Sequence, residues 1–231
     1  MPLARTLAPT SALPPAAGST PPAAVSSDTL AALINLAGRQ RMLSQRIVLQ
    51  AVLASLGHEQ ALAAAREALA LFADSHTTLI HGKGRLPAAH FDEIRTAYFG
   101  PAGGDARIQE YIGLARRTLD ALETAAAEGA GLMQSLIASA TPILALLNQI
   151  TQIYEAESRR CAATLQRRLG DLLGDITSVA KQARIVAFNA QVVAVRAGEA
   201  GREFAAVANV MTHVTGEMDE LARAALGLSA D

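Results

Sequence analysis

Apolar residues recur along most of this chain at intervals of three and four positions, a spacing typical of amphipathic α-helices. Glycines and prolines interrupt that period and divide it into segments. The pattern predicts four helices, over residues 28–56, 59–80, 106–128 and 132–169. Ser26, Ser27 and Asp28 supply N-cap chemistry directly before the first of them. Because most connections are short, we expect these helices to pack as an antiparallel bundle.

Two places in this bundle are less regular. Residues 86–105 contain two prolines and three glycines, so they are predicted to form an irregular connection with one helical turn near residues 91–98. Pro142 lacks a backbone N–H, so it marks either a kink in the fourth helix or its true start.

A heptad-like pattern follows a softer junction at Gly170 and Gly174. On the first arm it comprises Leu172, Ile176, Val179, Ala183, Val186, Ala190, Val193 and Ala197. After Gly198-Glu199-Ala200-Gly201 it resumes with Phe204, Val207, Met211, Val214, Met218, Leu221, Ala225 and Leu228. Two such arms around a glycine-flanked turn predict an antiparallel coiled-coil hairpin. A second stripe would stay exposed on an isolated hairpin and favours pairing with a second copy: Ile185, Phe188, Val192 and Val195.

The pattern therefore predicts an all-α protein in three parts: a tail at 1–27, a four-helix bundle at 28–169 and a hairpin at 170–231. The tail is rich in Pro, Ala and Ser and lacks the roughly 7–15-residue apolar stretch of a secretory signal, so we expect it to be disordered. No uninterrupted apolar run reaches about 18 residues. We therefore expect no membrane-spanning helix and a cytoplasmic location.

Composition and motifs argue against several classes of function. A formal net charge of −1 argues against nucleic-acid binding, which needs a basic surface. The single cysteine, Cys161, excludes an internal disulfide and is expected to be a small, partly buried residue. The five histidines lack the paired spacing of helical metal ligands, so no metal or cofactor is expected. Because no nucleophile elbow, phosphate loop or evident carboxylate pair is present, we expect a non-catalytic protein.

One arginine stands in an otherwise largely apolar seam of the first helix: Ile34, Gly38, Arg41, Gln45, Val48 and Val52. A buried guanidinium needs a compensating partner, and Gly38 lets a small ligand approach it closely. If this seam is a homodimer interface, two Arg41 side chains meet, and a planar oxyanion between them would suit both guanidinium groups. The alternative is that Arg39, Arg41 and Arg46 reach solvent or pair with carboxylates of neighbouring helices.

The segment INLAGRQRMLSQRI resembles the opening helix of the type IV pili methyl-accepting chemotaxis transducer N-terminal (PilJ-type) domain and of related nitrate/nitrite sensors. AYFGPAGGDARIQEYIGLAR and ITQIYEAESRR fit the same family, so the resemblance covers about residues 28–165. It implies a dimer that binds one anion, nitrate or nitrite, between the two first helices. By motif position, Arg41 and Gly38 would contact that anion, and Arg39 is an added basic group. Gln45, on the same seam, completes the candidate ligand site.

Residues 176–221 are similar to the cytoplasmic hairpin tip of methyl-accepting chemotaxis receptors, carried by ARIVAFNAQVVAVRAGEAGREFAAVANVM. The resemblance implies contacts with a chemotaxis coupling protein and a histidine kinase. The candidate partner-binding residues are Asn189, Val193, Arg196 and Glu199. Two of the matched positions depart from the family pattern, because Val193 replaces a glutamate and Lys181 an aromatic residue. No Glu/Gln-rich methylation segment is present.

These observations favour a dimeric sensor of a small oxyanion with a chemoreceptor-like output hairpin. The hairpin either still docks on chemotaxis coupling proteins or serves only as a dimerisation element for another regulator. The alternative function is a ligand-independent helical adaptor in a chemotaxis or type IV pili pathway. The two functions differ in one respect, since only the sensor requires Arg41 for ligand binding.

Overall fold

The described part of the chain is almost entirely helical. A computed structural model describes residues 26–228, so the predicted tail lies almost wholly outside the described residues. The α-helices are α1 Ser27–Ser55, α2 Ala61–His81, α3 Asp92–Phe99, α4 Gly104–Glu123, α5 Gly129–Arg196 and α6 Arg202–Leu228. A 3₁₀ turn, Gly198–Gly201, joins α5 to α6. The predicted all-α fold is confirmed.

Local sequence explains where α1 begins and ends. The side chain of Ser26 accepts a hydrogen bond of 3.2 Å from the backbone N–H of Thr29, which caps the first turn. Asp28 adds a negative charge at the positive end of the helix dipole. The helix ends at Ser55, and Gly57 then adopts a φ of 84°, a left-handed conformation that favours glycine. Both ends lie within one residue of the prediction.

Helices α1, α2, α4 and α5 pack around one apolar core. Its largest fully buried side chains include Leu33, Leu43, Ile47, Phe72, Leu79, Ile108, Leu119 and Leu136. The hydroxyl of Tyr111 on α4 donates a 2.8 Å hydrogen bond to the backbone carbonyl of Ser44 on α1. This bond satisfies a buried polar group while fixing α4 against α1. The predicted four-helix bundle is confirmed.

The connection between α2 and α4 is ordered by one short helix. The helical turn predicted near residues 91–98 is α3, which buries Ile94 and Tyr98. Gly82 begins the connection with a φ of 77°, and a Cβ there would lie 2.6 Å from the carbonyl oxygen of Leu86. This turn therefore requires glycine for both its backbone conformation and its space.

Helix α5 is much longer than the sequence suggested. The prediction of an end near Leu169 is wrong, because α5 continues to Arg196 and spans 68 residues. A Cβ on Gly170 or Gly174 would meet no atom within 4 Å, so these glycines occupy open helix surface and mark no break in the helix. Pro142 lies inside α5 and is not its start. The bundle and the hairpin therefore share one helix, and the boundary expected after residue 169 falls within it.

The hairpin forms as predicted, but its arms meet along a different seam. The buried residues of this seam are Ala180, Ala187, Ala194, Gly201, Ala208, Thr215 and Ala222. These small residues recur every seven positions on each arm and allow close packing of the two helices. The large residues of the predicted seam are mostly exposed, among them Leu172, Ile176, Val179, Val186, Val193, Phe204, Val207, Met211, Val214 and Leu221. The sequence period was correct, whereas the face assigned to the partner arm was wrong.

This seam predicts a specific sensitivity to side-chain size. Ala187 is fully buried between the arms, so Ala187→Leu should force them apart and destabilise the hairpin by about 1–3 kcal/mol. Ala206 is exposed on α6, and Ala206→Leu makes the same change without entering the seam. Urea denaturation followed by circular dichroism would compare the two variants. Equal stabilities would show that Ala187 does not lie at a tight contact.

One helix in the described part of the chain is long and apolar enough to cross a membrane by length and composition alone. It is α5, which contains an 18-residue window of mean hydropathy 1.6, of which 28% is buried. The expectation of no such helix rested on uninterrupted apolar runs, and mean hydropathy tolerates single polar residues such as Gln134 and Thr141. In the structure, α5 packs on the bundle through Met133, Leu136 and Ile143.

Candidate functional site

Arg41 occupies a partly buried position where α1 packs against α5. Its guanidinium donates a 3.1 Å hydrogen bond from Nη1 to Oδ1 of Asn148, on α5. Among residues 26–228, Arg41, Arg39 and Arg46 form no ion pair with any carboxylate. Of the alternative stated from the sequence, pairing with acidic residues is not found for these three arginines, whereas Arg39 and Arg46 do reach solvent. Arg41 instead retains a full positive charge opposite a neutral amide.

Gly38 lies directly beside this guanidinium. A Cβ built on Gly38 would be 3.7 Å from Nη2 of Arg41, an ordinary contact distance. The Arg41 side chain therefore folds back over the glycine, one helical turn earlier. The structure places Gly38 and Arg41 side by side on α1, and both are partly exposed.

Gln45 and Arg39 lie on different sides of α1. Gln45 is exposed on the α5 side, where its Nε2 donates a long hydrogen bond of 3.4 Å to the backbone carbonyl of Ala140. Arg39 is turned toward α2, where Nη2 donates a 3.0 Å hydrogen bond to Oγ of Ser75. Of the four predicted ligand-binding residues, Gly38, Arg41 and Gln45 thus share one side of α1, and Arg39 is separate from them.

Asn148 is the contact that sequence reasoning missed. It interrupts an apolar stretch of α5 in which Leu146, Leu147 and Ile150 are buried. A polar residue at such a position was a usable signal, but nothing in the sequence indicated that it faces Arg41. The amide oxygen holds one edge of the guanidinium and leaves other N–H groups available for an anion.

An apolar stripe on α1 lies beside Gly38 and Arg41 without cover. Met42, Leu49 and Leu56 are 56%, 57% and 70% exposed and recur at seven-residue intervals. On α5, Ile137 is 47% exposed and lines a cleft with Ala54 and Ser55 at the end of α1. Side chains of this size, aligned on one helix face, are typical of a helix that packs against a further helix.

The predicted partner-binding residues lie on the outside of the hairpin tip. Asn189, Val193 and Arg196 are exposed and share one face of α5, because their spacing is four and three residues. Glu199 is exposed in the 3₁₀ turn and pairs with Arg202 at 3.5 Å. Within the described part of the chain, all four residues are therefore accessible to a partner protein. The predicted second stripe is exposed as well: Ile185, Phe188, Val192 and Val195.

A buried polar cluster, formed around His76 on α2, lies apart from the Arg41 site. The fully buried His76 ring places Nε2 2.7 Å from Oδ1 of Asp105 at the start of α4. Nδ1 of His76 has no hydrogen-bond partner in the described part of the chain. Burial lowers the pKa of His76, and the hydrogen bond to Asp105 opposes that shift. Burial also raises the pKa of Tyr98, whose ring packs on His76 at 5.9 Å between centroids.

Cys161 lies on α5, in a stretch of the helix whose residues are exposed or partly buried. It is partly buried, and its Sγ lies 3.6 Å from Oε1 of Glu157. Burial, followed by the nearby carboxylate of Glu157, raises the pKa of this thiol. A raised pKa lowers the thiolate fraction, so the residue fits a structural position better than a reactive one.

Comparison with known proteins found two similarities, each to part of the chain. Residues 23–100 match the family model described as type IV pili methyl-accepting chemotaxis transducer N-term, PilJ. The resemblance predicted from the sequence is confirmed there, and its extension from residue 101 to 165 stays a prediction. The chain is also 39% identical over 66 residues to methyl-accepting chemotaxis protein IV of Escherichia coli (strain K12). That match covers 29% of this chain and only 12% of that protein. No solved structure gave a significant match.

Proposed function

We propose that this chain, which carries a PilJ-type segment of chemotaxis signal transducers, is a non-catalytic dimeric sensor of a small oxyanion, nitrate or nitrite. The ligand would bind between the α1 helices of two copies, at Gly38 and Arg41. The hairpin of α5 and α6 would carry the resulting signal. The observation that supports this most is the Arg41 guanidinium, half-buried and without an acidic partner in the described chain.

The chemistry of Arg41 favours an anion. A partly buried cation without a counter-charge is unfavourable, and the amide of Asn148 compensates it only in part. A planar oxyanion can accept parallel hydrogen bonds from a guanidinium fork. Two Arg41 side chains related by a twofold axis would repel each other until such an anion lies between them. Ligand binding and dimer packing are therefore coupled in this proposal.

The uncovered apolar surfaces favour a second copy as the partner. The stripe of Met42, Leu49 and Leu56 runs along the same helix as the proposed ligand site. Both arms of the hairpin also expose large apolar side chains on either side of their small-residue seam. A twofold pairing would cover both regions at once, because each copy presents the same surfaces to the other.

Helix α5 provides a direct route from the ligand site to the hairpin. Asn148 contacts Arg41 and belongs to the helix that ends at Arg196, about 72 Å farther along at 1.5 Å rise per residue. A shift of α5 at Asn148 would therefore be transmitted along a continuous helix to the tip. This arrangement needs no flexible linker between the sensing and output parts.

The output of the hairpin has two candidate forms. In the first, the exposed residues Asn189, Val193, Arg196 and Glu199 dock on a chemotaxis coupling protein or histidine kinase, which places the chain in the cytoplasm. In the second, the hairpin only holds two copies together. Val193 and Lys181 favour the second, since an apolar residue and a cation replace the glutamate and aromatic residue expected of a receptor tip.

The ligand-binding part is tested by titration calorimetry with nitrate, nitrite and chloride. We expect saturable binding of nitrate or nitrite at one anion per two chains. Arg41→Gln should weaken it about 100-fold or more, because each dimer loses two charge-assisted hydrogen-bond donors. Arg46→Gln is the matched control, since Arg46 is an exposed arginine on the same helix. Absence of saturable heat with every anion would contradict the sensor and favour the ligand-independent adaptor.

A further inference from the structure

A polar cleft of about 330 Å³ opens between the two arms of the hairpin, far along α5 from Arg41. Lys181 and Arg184 line it from α5, and Asp219 and Arg223 line it from α6. Its volume lies at the lower end of the range typical of small-molecule sites. Neither the predicted ligand site nor the predicted partner-binding residues contribute to it.

The cleft carries an excess of positive charge. Nη2 of Arg223 lies 2.8 Å from Oδ2 of Asp219, so the only carboxylate lining the cleft is already neutralised. Lys181 and Arg184 form no ion pair within residues 26–228. Three cations and one carboxylate leave two positive charges without an acidic partner.

The guanidinium of Arg184 lies against Gly216 on the opposite arm. Nη2 of Arg184 lies 3.6 Å from the position of a Cβ built on Gly216, so the guanidinium reaches across the seam onto α6. This is an ordinary contact distance, so Arg184 packs on α6 without requiring a glycine there.

The two hydroxyl groups that line the cleft have no proton left to donate to an anion, so an anion would be bound by the cationic side chains. The hydroxyl of Thr177 donates to the carbonyl of Leu173 at 3.0 Å, and that of Thr215 donates to the carbonyl of Met211 at 2.9 Å. Their protons are therefore used within their own helices. The N–H donors left for an anion belong to Lys181, to Arg184 and to the part of the Arg223 guanidinium that does not bond to Asp219.

We propose that this cleft binds a small dianionic oxyanion of the phosphate class, held by Lys181 and Arg184 on one arm and Arg223 on the other. A tetrahedral dianion matches the two unpaired positive charges and can accept hydrogen bonds from several directions at once. A planar monoanion such as nitrate supplies half the charge. The site is therefore distinct in both location and ligand from the one at Arg41.

Binding there would join the two arms of the hairpin. The seam near the cleft consists of small side chains such as Ala180 and Thr215, which bury little apolar surface. An anion bridging α5 and α6 adds contacts that the seam itself lacks, and it stabilises the closed hairpin by mass action. The stiffness of the output hairpin would then depend on phosphate-class ligands.

The test is titration of the full chain with inorganic phosphate at constant ionic strength, at a pH where phosphate is a dianion. We expect saturable binding in the millimolar range or tighter. Arg184→Gln should weaken it at least about tenfold, the loss of one charge-assisted hydrogen bond. Lys181→Gln provides a second variant at an exposed position. Arg168→Gln is the charge-matched control, because Arg168 is exposed on α5 outside the cleft.

The outcomes separate this proposal from the nitrate site. Phosphate binding that persists in Arg41→Gln and is not displaced by nitrate supports an independent site in the hairpin. Equal weakening by Arg168→Gln and Arg184→Gln would show only general charge attraction and would overturn the proposal. So would the absence of saturable phosphate binding in a chain whose helicity, by circular dichroism, equals that of the folded protein.

Discussion

Replacing Gly201 with alanine should open the tip of the hairpin. Gly201 is buried at the end of the 3₁₀ turn, and a Cβ there would lie 2.1 Å from the backbone carbonyl oxygen of Ala194. No side-chain rotation can relieve a clash between a Cβ and a main-chain atom, so the turn itself must shift. We expect a loss on the order of 3 kcal/mol in hairpin stability.

Hydrogen exchange followed by mass spectrometry would localise this effect. In Gly201→Ala the amides of α6 should lose protection, while those of α1 and α2 stay protected because neither of these two helices contacts the turn. Gly174→Ala is the control, and its effect on stability should be opposite to that of Gly201→Ala. It adds a methyl group at an open helical position and should stabilise α5 by about 0.5–1 kcal/mol. Unchanged exchange in α6 of Gly201→Ala would contradict the close approach at the turn.

The helices themselves could be predicted because their signals are local. A period of 3.6 residues, the cap at Ser26 and the glycines near the helix ends located most boundaries of α1 to α4. The largest error is the predicted end of α5. Gly170 and Gly174 weaken a helix without ending it, and α5 is held by packing on either side of them, at Tyr154 and at Ala180. Packing of α5 could not be read from the local sequence.

The hairpin seam shows a second limit of sequence patterns. A heptad of large apolar residues indicates a buried face, and Val179, Val186 and Val193 fit that rule. The structure places Ala180, Ala187 and Ala194 between the arms instead. Small residues at the same seven-residue spacing carry a weaker hydrophobic signal, although they allow the closest helix packing. The prediction thus assigned to the partner arm a face that the described chain leaves open.

The candidate ligand site could likewise be predicted only in part. Gly38, Arg41 and Gln45 share one helix, so their common face follows from spacing alone. Asn148 is separated from Arg41 by 107 positions, and Asp105 from His76 by 29. Such pairs arise only when the helices pack. Sequence reasoning therefore grouped the candidate residues of one helix but missed Asn148, which contacts Arg41, and it missed the His76 cluster entirely.

The His76 cluster predicts that the bundle is sensitive to acid. At neutral pH the Nε2–H of His76 donates to Asp105, because a carboxylate only accepts. Protonation would place a second N–H at Nδ1, which has no acceptor in the described part of the chain. The nearby rings of Tyr98 and Tyr154 remain neutral, since burial raises both of their pKa values, and His81 adds only repulsion. Removing the partner by Asp105→Ala should cost about 1–3 kcal/mol.

The sign of the pH dependence follows from the lowered pKa of His76. Below the unfolded-state value of 6.5, the unfolded chain binds a proton that the folded chain resists. The stability of the bundle should therefore be highest above that pH and fall as the pH decreases through the folded-state pKa. Thermal melting between pH 8 and pH 5 would measure this, since roughly this interval spans the histidine titration.

A matched pair of variants separates His76 from the other histidines. His76→Gln removes the titrating group from the core, so the melting temperature of this variant should depend less on pH across the same range. His213 is exposed on α6, and its side chain is 78% accessible beside Glu217. His213→Gln should therefore retain the pH dependence of the parent chain. If both variants kept it equally, the acid sensitivity would belong to carboxylates, and the interhelical contact between His76 and Asp105 would not control it.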